Sequence, residues 1–396
     1  MTTVTKPSDN EPAAIRRQSG LHLFNQVKHK TNPPGNSFIE GFDSHILRAL
    51  PQLEQTSPNS TWARGDIIEI QGPAASGKTH LLYFWAMTCV LPYTAALRNE
   101  DSERAFEVLL GGRNNSVVVC DCDARWSMIR LRTIISRYLH ERLALAVTNS
   151  QSDGDDEMHD TAPATISDVI ARVLKRVHVF RPTSTLSLAA TLAALPNYHK
   201  TYMPDEAIGM LMIDSISTFH SLDRWTSEQL EKVPQTPAGL PPAPDQPAAL
   251  QFPELRTNIN PLRHVLTVVL ELRRSLGMIT FFTNWGIHTI DSTLPSSIPY
   301  YKQHLRAPYP SPFDAESPRG KYPLTHHITI PQQGPAPFDA GTSLEEAMDD
   351  QNRNESLGRM RLRAFVRTIS RRSDDTSSIV ESEFEFAIID DGVLVS

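Results

Sequence analysis

From Trp62 onward the chain alternates between two kinds of apolar pattern. Short apolar runs rich in β-branched residues read as buried strands: Asp66–Gln71, Val117–Asp121, Val177–Phe180, Gly209–Asp214 and Met278–Thr283. Between them lie stretches with helical spacing. These are His80–Val90, which stops before Pro92, then Met128–Leu139 with basic residues on its outer side, the segment through Leu186, Leu188, Leu192 and Leu195, and Arg256–Leu276. Repeated strand–helix units predict an α/β fold with a mostly parallel central sheet and helices on both faces. A return to strands over 359–396, closing in Glu383–Ile389 and a turn at Asp390-Asp391-Gly392, predicts C-terminal β-strands.

Polar and proline-rich stretches divide this pattern. Residues 1–20 are polar and unpatterned and predict a disordered leader. Residues 21–60 form a short N-terminal segment whose apolar anchors are Leu21–Phe24 and Ile46–Leu50. The core then spans 61–396, with insertions at about 150–160, 231–255 and 286–357. Seven prolines fall in 234–253 and ten in 295–337, so neither stretch reads as regular core. His326-His327 lacks a third ligand nearby and does not read as a metal site.

Composition narrows the classes. A chain of 396 residues with 40% apolar residues supports a large core, and a net charge of −7 gives no global sign of nucleic-acid binding, so any such contact is a local patch. Cys89, Cys120 and Cys122 are odd in number and fit no metal pattern, which reads as core thiols in a reducing compartment. The absence of a long apolar run or a secretory signal predicts an intracellular, soluble protein with no membrane partner.

The chemistry is concentrated in Gly72-Pro73-Ala74-Ala75-Ser76-Gly77-Lys78-Thr79, which fits the phosphate-loop spacing G-x-x-x-x-G-K-[ST] between a strand and a helix that begins around His80. Such a loop aims backbone N–H groups and the helix dipole at one point, a setting for a polyphosphate. Lys78 would reach the β- and γ-phosphates and the Thr79 hydroxyl would bind Mg²⁺, so the expected cofactors are ATP and Mg²⁺. Asp214, at the end of an apolar strand, would hold the Mg²⁺ through water. No Glu follows Asp214, which argues against a helicase, and the acid available on another strand is Asp123 in Cys120-Asp121-Cys122-Asp123.

This arrangement resembles the RecA-type recombinases and their non-polymerising paralogues. The resemblance rests on Asp66–Tyr83, Leu91-Pro92, Cys120–Asp123 with Met128–Arg132, and Leu211–Trp225; it covers about residues 62–285, with a weaker echo in 359–396. It implies a RecA-like phosphate-loop NTPase core acting in homologous-recombination repair of DNA double-strand breaks in the nucleus. The chain would be an ATP-binding subunit of a complex with other recombinase paralogues, on single-stranded or branched DNA. It also implies that Asp123 stands where active members place a Glu base. The shorter side chain withdraws the carboxylate by about 1.5 Å, and a misplacement of roughly 1 Å can cost ~10²-fold in rate. Trp285 stands where active members carry a γ-phosphate-sensing Gln, and no clear Phe-x-x-Ala tether precedes the core. Weak or absent hydrolysis follows.

For DNA, the best basic segment is Arg359, Arg361, Arg363 and Arg367, which share parity and would give one arginine face on a strand. The alternative is a solvated face paired with local carboxylates. Trp225 and Trp285 read as packed on the core in preference to stacking on bases. Two other functions fit a phosphate loop. A small-molecule kinase or phosphotransferase suits the long proline-rich insertions poorly. A nucleotide-free scaffold sits badly with intact Lys78, Thr79 and Asp214.

Overall fold

The structure of the protein is a computed structural model. It describes residues 33–49, 60–98, 104–150, 164–232, 261–285, 324–331, 341–349, 361–369 and 379–395, with residues 20, 27, 288–289 and 301–302. Residues 1–20, expected to be a disordered leader, and the expected insertion at about 150–160 fall almost wholly outside these residues, as does nearly all of that at 231–255.

The elements run in the order α1 (Glu40–Ala49), β1 (Ile67–Gly72), α2 (Lys78–Val90), β2 (Thr94–Arg98), β3 (Ala105–Leu109), β4 (Ser116–Asp121), α3 (Met128–Ser150) and α4 (Ile166–Leu174). There follow β5 (Val177–Phe180), α5 (Thr185–Tyr202), β6 (Ile208–Asp214), α6 (His220–Lys232), α7 (Pro261–Leu276) and β7 (Ile279–Trp285). The chain closes with β8 (His288–Thr289), β9 (Tyr301–Lys302), β10 (His326–Thr329), α8 (Leu344–Met348), β11 (Leu362–Ile369), β12 (Ile379–Ile389) and β13 (Gly392–Val395).

One sheet of nine strands, in the order β13-β12-β11-β10-β1-β7-β6-β4-β5, organises the molecule. The six strands from β10 to β5 are mutually parallel; β11, β12 and β13 continue the sheet antiparallel. This is the mostly parallel α/β sheet expected, and its antiparallel flank is the expected C-terminal strand region. In the two common doubly wound orders the first strand pairs with the second. Here β7 and β6 stand between β1 and β4, so the ends of four parallel strands sit side by side where the phosphate loop leaves β1.

Alternation along each strand builds two cores. Ile68, Ile70, Val117, Val119, Met210 and Phe281 face one cluster with α1, α2, α3 and α4; Ile67, Val118, Leu211, Ile213 and Phe282 face another with α5 and α7. Helices therefore cover both faces. The first core is fastened by aromatic contacts: Trp85 stacks on Phe281 at 4.8 Å, and Phe42 of α1 lies within 5.2 Å of Trp62 and 5.8 Å of Phe384.

Two sequence expectations are corrected. The stretch 286–357 is not wholly an insertion, because its four residues His326–Thr329 form β10, a buried strand between β1 and β11. The 21–60 segment contributes more than loose anchors: Phe42, His45, Ile46 and Ala49 of α1 are buried, and α1 packs on β11 and β12. The sequence reading also missed the β2–β3 hairpin.

Candidate nucleotide site

β1 ends at Gly72, and the chain turns there because no larger residue fits. A Cβ on Gly72 would lie 2.6 Å from the Ile330 carbonyl and 2.6 Å from Ser76 Oγ. The loop then passes through two left-handed residues, Ala75 at φ 59° and Gly77 at φ 90°. A Cβ on Gly77 would meet Leu362, Phe386 and Ile388 at 3.0 Å, so the C-terminal strands form the floor of the loop. α2 starts at once from Gly77 with no side-chain cap, leaving its positive end at the loop.

Lys78 is 8% exposed. Its Nζ folds back onto the loop, donating to the carbonyls of Gly72 at 2.8 Å and Pro73 at 2.6 Å, with Ser76 Oγ at 3.4 Å. Burial pushes its pKa down to about 8, against the pull of Asp214 and Asp123. Thr79 donates its hydroxyl to Asp214 Oδ2 at 2.9 Å, and Thr283 donates to Asp214 Oδ1. Burial raises the Asp214 pKa, and the two hydroxyls oppose that rise.

Asp123 lies just beyond β4. Its Oδ1 is buried without a hydrogen-bond partner among the described residues, and Oδ2 is 3.8 Å from Arg125 Nε. Burial, then the neighbouring Asp121, raises its pKa. Asp121 pins the turn by accepting the Arg125 N–H at 2.9 Å on Oδ1 and Arg181 Nε at 3.3 Å on Oδ2. His80 packs edge-on to Tyr83 at 6.0 Å; burial, then Arg130, lowers its pKa to about 4, so it is neutral at pH 7 and adds no positive charge.

The ends of β1, β4 and β6 thus bring together Gly72, Lys78, Thr79, Asp123 and Asp214. A loop with a glycine cradle, an amine and a hydroxyl–carboxylate pair fits a polyphosphate with a divalent cation. Lys78 would pair with phosphate oxygens, and Thr79 with Asp214 would hold the cation, which supplies charge neutralisation when bound.

Neither Thr283 nor Glu69 is among the site residues expected from the sequence. Glu69 lies within an apolar run, yet it is 1% exposed and its Oε1 accepts Asn284 Nδ2 at 2.8 Å. A carboxylate in a buried strand demands a partner, which was the available signal.

The arginine face is not a bare basic stripe. Arg363 lies 3.8 Å from Glu383 and 3.6 Å from Glu385, and Arg367 lies 3.9 Å from Glu381, all across the β11–β12 pairing. Arg361 is exposed, and Arg359 lies outside the described residues. The tryptophans depart from expectation: Trp225 is 60% exposed on α6, and Trp285 is 44% exposed at the last position of β7, opposite Gly72. Among the described residues no helix is long and apolar enough to cross a membrane.

Fold and site together define the class: an α/β protein whose mostly parallel sheet presents a lysine, a threonine and two aspartates around a glycine loop. The particular likeness lies in the sequence. The chain is 29% identical to a DNA repair protein XRCC2 homolog of Arabidopsis thaliana over 175 residues, covering 41% of this chain and 43% of that protein. It is 25% identical to DNA repair protein XRCC2 of Mus musculus over 209 residues, covering 53% of this chain and 55% of that protein. By sequence this is an XRCC2-like chain. The match spans about half the length of these curated relatives. No protein-family model matches the chain.

Proposed function

We propose that this chain is a RecA-like, ATP- and Mg²⁺-binding recombinase paralogue that acts in homologous-recombination repair in the nucleus. In this reading it joins other recombinase paralogues on single-stranded or branched DNA and hydrolyses ATP slowly or not at all. The likeness to proteins named for DNA repair supports the cellular role. The observation that carries the chemistry is the meeting of Lys78, Thr79 and Asp214 at the glycine loop.

Slow hydrolysis is supported by the acid that would direct a water. Asp123 is one methylene shorter than the glutamate that the recombinase resemblance implies at its position, and Trp285 offers one donor and no acceptor at the end of β7. Bound nucleotide would then act mainly to fix the loop and the β6 end in one arrangement, stabilising a subunit contact. Calorimetry with ATP at millimolar Mg²⁺ tests the reading on the wild type and Lys78→Ala. Binding by the first and its loss in the second are expected. No heat for the wild type, alone or with its co-purified partners, would sink it, and turnover of several per second by the isolated chain would sink the claim of slow hydrolysis.

A further inference from the structure

Three consecutive residues at the end of β7 are each tied to a different part of the candidate site. Thr283 donates its hydroxyl to Asp214 Oδ1. Asn284 Nδ2 donates to Glu69 Oε1 on β1 at 2.8 Å. The Trp285 N–H donates to Ser217 Oγ at 3.1 Å, in the turn that follows Asp214. The Thr283 carbonyl closes the link by accepting the Ile216 N–H at 3.0 Å. Thr283 and Asn284 are fully buried.

An aspartate at a strand end has a broad terminal torsion and can turn its two oxygens over a wide arc. Asp214 is denied that freedom because each oxygen accepts one threonine hydroxyl, Thr79 on Oδ2 and Thr283 on Oδ1. The two threonines differ in what they can do next. Thr79 sits at the start of α2, and its hydroxyl is a group that would turn to a cation. Thr283 sits within a strand paired on one side with β1, Ile70 opposite Thr283 and Gln71 opposite Asn284. Its β-branched side chain has a restricted χ1 torsion.

We infer that Thr283 is the positioning residue of this site: it holds the Asp214 carboxylate with Oδ2 turned toward Thr79, while Asn284 on Glu69 keeps the β7 end from shifting. The inference rests on reading the site as one for a nucleotide with a divalent cation. Thr283 is fully buried and spends its hydroxyl on Asp214, so its effect should fall on the metal and spare the phosphate contacts.

The test is a Mg²⁺ titration of ATP binding by the full chain, as wild type, Thr283→Val and Thr283→Ser, with binding in EDTA measured alongside. Valine keeps the shape and removes the donor; serine keeps the donor. The expected result is a Mg²⁺ midpoint raised about tenfold in Thr283→Val. Thr283→Ser should lie close to wild type, with ATP affinity in EDTA unchanged throughout. A wild-type midpoint in Thr283→Val overturns the inference, as does an equal loss with and without metal, which would mark a general packing defect. Should the valine chain fail to fold, Thr283→Ala against Thr283→Ser carries the same comparison. A wild type that binds ATP equally with Mg²⁺ and EDTA defeats the inference alone; a wild type that binds no ATP defeats the site reading with it.

Discussion

At the scale of single residues, Lys78 and Asp123 carry charges whose surroundings decide what they can do. Lys78 is charged below about pH 8 and loses its proton above it, because burial outweighs the two aspartates. A phosphate ligand favours the charged amine, so binding raises that pKa and takes up a proton where the free protein has begun to lose one. ATP affinity should therefore be flat up to about pH 7 and weaken above pH 8, approaching tenfold per pH unit. Calorimetry in two buffers of different ionisation heat would count the proton; constant affinity to pH 9 without uptake would contradict the assignment. Asp123 is the other case. Its buried Oδ1 has no partner among the described residues, yet its reach is one methylene short of a glutamate. Asp123→Glu should raise ATP turnover by about tenfold or more, since placement at the 1 Å scale governs such steps. A phosphate-release assay showing no gain would remove Asp123 from the role of base.

At the scale of elements, the β11–β12 pairing shows how one pattern can serve two ends. Arg363 and Arg367 of β11 stand opposite Glu385 and Glu381 of β12, with Phe365 opposite Glu383 between them. Arg363 and its partners are half exposed, so Arg363→Ala should cost no more than about 1 kcal/mol. The Arg367 side chain is 12% exposed and that of Glu381 32%, so Arg367→Ala loses packing as well as the ion pair and should cost more, about 1–2 kcal/mol. Urea unfolding of the two variants gives the comparison. The same pairing predicts that Arg363→Ala leaves the salt dependence of single-strand DNA binding nearly unchanged, by less than one unit of slope. Glu381, Glu383 and Glu385 share parity in the sequence as plainly as the arginines, so this ladder was legible and was read from one strand only. Five of the six parallel strands were legible to within two residues because each is a short, mostly apolar run. β10 was not. Its His-His-Ile-Thr sequence is mostly polar and sits in a proline-rich stretch, and it is buried because its polar groups find partners on other strands. Thr283 escaped notice for a related reason: a threonine in a strand reads as ordinary β-propensity, and its carboxylate partner lies 69 positions away.

At the scale of the whole molecule, the two ends of the described chain are joined through buried histidines. His45 of α1 places Nε2 2.7 Å from Thr368 Oγ1 on β11 and Nδ1 2.7 Å from Ser382 Oγ on β12. Thr368 Oγ1 is also 2.7 Å from His326 Nδ1 on β10, and His326 Nε2 faces Asp66 Oδ2 at 3.8 Å. A carboxylate accepts only, so Asp66 favours a proton on His326 Nε2 and leaves Nδ1 to accept. Thr368 then donates to His326 and accepts from His45, and Ser382 donates to His45. In this order His45 is satisfied as a neutral ring, and one more proton on its Nδ1 would require Ser382 to turn from donor to acceptor. Burial, then His326, lowers the His45 pKa to about 3; burial, then Arg367, lowers that of His327 to about 3. The unfolded chain, with histidines near 6.5, therefore binds protons that the folded chain refuses between about pH 6.5 and 3. Stability should be fully present above that window and fall as pH drops through it, by about 1.4 kcal/mol per pH unit for each histidine. Urea unfolding at pH 7.5, 6.5, 5.5 and 5.0 measures the slope, and His45→Gln should lower it by about one proton while costing stability at pH 7.5. A slope unchanged by that substitution would mean that His45 takes up its proton as readily in the folded chain as in the unfolded one, and that its enclosure by β10, β11 and β12 does not refuse the charge.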